Sequence, residues 1–96
     1  IASLLVHGPD LTKVRADALE LRKQLDAANQ TRIARILGPA PAPLARLKGE
    51  HRFQLLIKSK SRRGLRAVAD AALKAMSERG ANLRSINLEI DPVSMM

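Results

Sequence analysis

Two stretches of this chain repeat apolar residues every three or four positions, and each repeats them along one side only. Leu11, Val14, Ala18, Leu21, Leu25 and Ala28 make the first stripe; Leu65, Val68, Ala69, Ala72, Leu73 and Met76 make the second. A helix turns once in about 3.6 residues, so this spacing predicts two amphipathic helices with one apolar face each. A one-faced helix needs a surface to cover. The remaining runs supply it: ASLLVH (2–7) reads as a short strand, and TRIARIL (31–37), HRFQLLIK (51–58) and LRSINLEID (83–91) alternate apolar and polar residues as half-buried strands do, TRIARIL more weakly than the others. In HRFQLLIK, Phe53, Leu55 and Ile57 point one way and Arg52, Gln54 and Lys58 the other, with Leu56 as the exception.

The order is therefore βαββαβ. It predicts an α+β two-layer sandwich of ferredoxin-like type, a four-stranded sheet with both helices on one face. Phe53 is expected in the core between the helices, and the opposite sheet face is expected to be polar, with Arg52, Gln54 and Asn87. Gly8-Pro9 closes the first strand, Asp10 caps the first helix and Asn29 ends it. Gly38-Pro39 is expected to stop the second strand. PAPAPLARLKG (39–49) then reads as a loop stiffened by Pro39, Pro41 and Pro43, and ARLKGEH (45–51) as a plain connection. The second helix starts near Ser61 and stops at Gly80.

A length of 96 residues fits one domain, 1–96, with a single core. There is no cysteine, which excludes disulfides and thiolate zinc sites, and no apolar run nears the roughly 20 residues of a membrane span. The chain opens at Ile1, already inside a strand-like run, and reads as a piece of something longer.

Charge is concentrated. The net charge is +8, yet residues 30–66 carry ten bases (Arg32, Arg35, Arg46, Lys48, Arg52, Lys58, Lys60, Arg62, Arg63 and Arg66) against Glu50 alone. Such a block predicts a polyanionic partner. In KSKSRRGL (58–65), Lys58, Lys60, Arg62 and Arg63 crowd the start of a helix, where the macrodipole favours acids instead. Helix-end N–H groups with cationic side chains suit a carboxylate or phosphate.

Catalytic chemistry is not evident. The chain lacks a GxxxxGK[ST] loop for nucleotide phosphates, and His7 and His51 stand without acids at ligand spacing. Phe53 is the one aromatic residue, so base stacking on an open sheet has no platform. DNA contacts are expected to run through phosphates, from Arg46, Lys48, Arg52, Lys58, Lys60 and Arg63.

The run LGPAPAPLARLKGEHRFQLLIKSKSR (37–62) closely resembles the C-terminal domain of the PriA family, primosomal protein N′, the bacterial replication-restart helicases. The shared pattern is a Gly-Pro-Ala-Pro-Ala-Pro segment, a glycine, an aromatic-Arg-aromatic strand start and a leucine-rich strand. IDPVSM (90–95) resembles the family's Asp-Pro-x-Ser terminus. The resemblance implies a fold like that of ribosomal protein S10 and a cytoplasmic, nucleoid-associated setting. It also implies a parent ATP-dependent DNA helicase whose ATP, magnesium and zinc sites lie outside this chain, leaving no cofactor and no enzyme activity here. Implied partners are branched DNA at abandoned forks, the acidic C-terminal tail of single-stranded DNA-binding protein, the other helicase domains and further primosome proteins, with no membrane. The family's tail pocket places an Arg at the start of the second helix, matched by Arg62, and a glutamine one turn later, where this chain has Arg66; Lys60 would add to the field. A second departure is His51, which stands where the family has an aromatic residue before Arg52.

Two other classes compete with this reading. A free-standing S10-like ribosomal or RNA-binding protein shares the fold, and a ferredoxin-like small-molecule regulatory domain shares the topology. The Gly-Pro-Ala-Pro-Ala-Pro run weighs against the first and the charge block against the second.

Overall fold

The structure, a computed structural model, describes residues 1–30 and 32–90, and within 44–47 the backbone only. β1 (Ala2–Gly8) leads to α1 (Leu11–Ala28), β2 (Ala34–Leu47), β3 (Glu50–Ser59), α2 (Arg62–Glu78) and, after a 3₁₀ turn at Leu83–Ser85, β4 (Ile86–Ile90). The strands form one antiparallel sheet in the order β2-β3-β1-β4. This is the ferredoxin-like two-layer arrangement that the periodicities predict.

The apolar stripes meet between the layers. Val14, Ala18, Leu21 and Leu25 of α1 and Leu65, Val68, Ala69, Ala72 and Met76 of α2 are buried with Leu4, Val6, Ile36, Leu55 and Ile57 of the sheet. No polar or charged residue is buried among the described residues, so apolar burial is the main stabilising term. The helix starts are capped as their sequences suggest. Asp10 accepts from the backbone N–H of Thr12 (3.0 Å) and Lys13 (3.3 Å), and Ser61 accepts from that of Gly64 (3.0 Å). Asn29, the C-cap of α1, also fixes the entry to β2: its side chain donates to the carbonyl of Ala34 and accepts from the Ala34 N–H.

Several expectations require correction. The second strand is not TRIARIL (31–37); β2 runs from Ala34 through the proline segment to Leu47. It shifts register against β3 between Leu37 and Ala40 and again between Pro41 and Arg46. Gly38-Pro39 therefore bends the strand without ending it. β2 lies at the sheet edge, where proline is tolerated. Pro39 and Pro43 fall within the two register shifts, where the ladder to β3 is interrupted, and of the three prolines Pro41 alone sits at a paired position, opposite Phe53. The prolines thus coincide with the irregularities of a strand that continues past them to the hairpin. ARLKGEH is likewise strand, two-residue turn, strand: Lys48 (φ 52°) and Gly49 (φ 81°) form a tight hairpin with both central residues left-handed.

Phe53 is on the expected side of the sheet, opposite Val6 and Pro41, but it is half-buried against the core instead of enclosed within it. The opposite face is also less polar than expected. Ser3, Leu5, Leu37 and Leu56 lie there beside Arg52 and Gln54, all half-buried, with Gln54 donating to the Ser3 hydroxyl.

Candidate anion-binding surface

The charged block does not form a single surface. β3 is ten residues long, and at about 3.3 Å per residue its ends lie roughly 30 Å apart. Lys48 is in the hairpin turn and Arg52 one rung from that end, opposite His7. Lys58, Lys60 and Arg63 are at the far end, where β3 leads into α2. The six residues expected to contact DNA therefore divide between opposite ends of the molecule, with the Arg46 side chain outside the described residues. The Asp-Pro-x-Ser terminus at 91–94 also lies outside them.

At the hairpin end, His7 Nδ1 lies 3.4 Å from Glu50 Oε1. His7 thus has an acidic neighbour that linear spacing did not reveal. Among the described residues no three His, Cys, Asp or Glu side chains converge as a metal site would require.

Of the concavities at the other end, two gather the cations around the end of β3 and the start of α2. The first is an open groove of about 680 Å³ bounded by Arg32, Arg35, Lys58 and Lys60, with Ile33, Ser59 and Ser61 in its wall. The second, of about 560 Å³, lies along α2 and is bounded by Arg62, Arg63, Arg66, Ala67, Asp70 and Ile90. Helical geometry explains the second: residues three and four apart share a face, which brings Arg62, Arg63 and Arg66 together over the first turns of α2. Arg66 Nε approaches Asp70 Oδ2 at 3.4 Å, an exposed i,i+4 pair that partly offsets its charge. Of the residues expected to hold the acidic tail, Arg62 and Arg66 share this concavity, whereas Lys60 lies on the groove beside Lys58. Arg63, expected among the DNA contacts, faces the same concavity as Arg62.

Arg32 and Arg35 belong to the groove and were not among the residues singled out from the sequence. For Arg35 the signal was the parity of β2: Ala34 and Ile36 turn inward, so Arg35 turns outward, directly opposite Lys58. The weak alternation of TRIARIL obscured it. Arg32 precedes the strand and had no such signal.

Both concavities offer cations and aliphatic walls, a chemistry suited to an anionic polymer or peptide. No described helix is long and apolar enough to cross a membrane. A search of curated proteins finds no match to the sequence. The family model for the primosomal protein N C-terminal domain matches residues 1–93. With that match spanning nearly the whole sequence and the βαββαβ sandwich in place, the chain belongs to the primosomal protein N C-terminal domain family.

Proposed function

We propose that this chain is a non-catalytic binding module of a replication-restart helicase, one that helps hold branched DNA at stalled forks and contributes to the pocket for the acidic tail of single-stranded DNA-binding protein. Family membership supports a primosomal role. The observation that carries the tail-binding reading is the gathering of Arg62, Arg63 and Arg66 around one concavity on α2. Arg62 starts the helix, where side-chain charge and helix dipole act in the same direction on an approaching carboxylate. An aliphatic wall at Ala67 and Ile90 gives the apolar part of a peptide a place to rest. The free-standing ribosomal alternative loses its ground once the family is assigned.

In the intact primosomal protein, Arg62→Glu removes a charge-assisted contact worth about 1.5–3 kcal/mol, roughly a ten- to hundred-fold loss of tail-peptide affinity. Fluorescence anisotropy at low salt reads this directly. Affinity unchanged by the substitution, in a protein with an unaltered circular dichroism spectrum, would remove Arg62 from the site.

A further inference from the structure

The groove between the start of β2 and the end of β3 has features that the tail-binding reading does not use. Arg35 and Lys58 sit directly opposite each other on neighbouring strands, both exposed. Like charges in that position are destabilising, and an anion held between them would relieve the repulsion. Arg32 takes a left-handed conformation, φ 54°, which is uncommon for a residue with a side chain, and it too borders the groove. Lys60 completes the set two residues beyond Lys58. Among the described residues no acidic side chain borders the groove, while Asp26 joins Arg32 and Arg35 around an adjoining concavity.

We propose that this groove is a phosphate-backbone site for nucleic acid, separate from the α2 concavity, so that DNA and an acidic peptide can be held at the same time. The inference rests on the reading that the domain binds DNA, and it assigns the residues. The polar groups of the wall point to a repetitive anion in place of a specific peptide. The Ser59 hydroxyl donates to the Ile33 carbonyl (2.9 Å) and accepts from the Ser61 N–H (3.1 Å), while the Ser61 hydroxyl caps α2. With both hydroxyls engaged internally, the groove offers cations and aliphatic surface. That combination reads charge and spacing, not side-chain identity. Extended chain advances about 6.6 Å per two residues, and phosphates of one DNA strand about 3.4 Å each along the axis. The turn of the duplex also separates neighbouring phosphates sideways, so Lys58 and Lys60, two residues apart where β3 leads into α2, are spaced to meet neighbouring phosphates of one strand.

The test compares two double variants of this chain on duplex DNA across a salt series. Arg35→Gln with Lys58→Gln removes two phosphate contacts, so the slope of log K against log salt becomes shallower by about 1.8. Arg62→Gln with Arg66→Gln leaves the slope at its starting value. Separating the opposed cations also makes the groove variant melt no lower than the starting protein, which distinguishes lost binding from lost folding. A groove variant with the original slope, while the unsubstituted chain binds DNA in a salt-dependent way, would overturn the groove alone. Absence of salt-dependent DNA binding by the unsubstituted chain would overturn the DNA-binding reading beneath it. In the intact protein, a groove variant that kept its DNA affinity and lost the tail peptide would reassign the groove to the peptide and overturn the proposal.

Discussion

Gly38 shows how closely one residue can be constrained by its neighbours. Its φ is 101°, and a Cβ placed on it would lie 2.6 Å from the carbonyl oxygen of Gln54 and 3.2 Å from the Cα of Leu55. Both are backbone atoms of β3, so relief requires moving a paired strand. Gly49 has a comparable φ of 81° but nothing within 4 Å. Gly49→Ala should cost about 1–2 kcal/mol from conformation alone, and Gly38→Ala clearly more, since steric displacement adds to the same strain. Urea denaturation of the two variants checks the ordering; equal losses would contradict it. Phe53 gives a second residue-level prediction. Full burial would put Phe53→Ala at about 3–5 kcal/mol. Half-burial lowers that to about 2 kcal/mol, so Phe53→Ala should be milder than Leu55→Ala, whose side chain is fully buried. The face of Phe53 was legible because it shares parity with Leu55 and Ile57. The depth of its burial depends on what lies over that end of the sheet, which strand parity does not encode.

Among the elements, both helices were legible to within a residue or so, because stripe, cap and stop signal agree at each end. β2 was not. Glycine and proline ordinarily punctuate, and the sequence carries no sign that this segment lies at a sheet edge, where prolines are accommodated at irregularities of the ladder. Strand order decides that, and it depends on contacts made by β1 and β3. The same proline run leaves the outer side of β2 poorly equipped to pair with another strand, a protection against edge-to-edge association. α2 carries the opposite kind of tension. Its first turn contains no acid and begins with Arg62 and Arg63, a choice unfavourable to the helix. Arg63→Glu should raise stability at low salt by about 0.3–1 kcal/mol through the helix dipole. It should also weaken acidic-peptide binding by the intact protein, the exchange of stability for function expected at a binding site. Thermal melts at low and high salt check the first half, since the gain must fade as salt screens it. Ser61→Ala, which removes the cap, should cost about 1 kcal/mol with little salt dependence.

At the scale of the whole molecule, the sequence located the charge but not its arrangement. Ten bases in 37 consecutive positions are visible in the linear chain. That Lys48 and Lys60 lie at opposite ends of β3, and that Arg32 and Arg35 return beside Lys58, follows only from the hairpin register. The candidate tail residues Arg62 and Arg66 are one helical turn apart, which is why a reading from local spacing could pair them. The groove joins residues more than twenty positions apart, beyond the reach of local spacing. A molecule of 36 × 32 × 17 Å with cations gathered at the α2 end and others at the hairpin can meet a polyanion through more than one surface. The central claim is that DNA is held by its phosphates, without reading of bases. Affinity of this chain for duplex DNA measured across a salt series, on two unrelated sequences, tests it most directly. If the four groove cations each meet a phosphate, log K should fall linearly with log salt at a slope near −3.6, identically for both sequences. Affinity that is indifferent to salt, or that differs strongly between the sequences, would contradict the account.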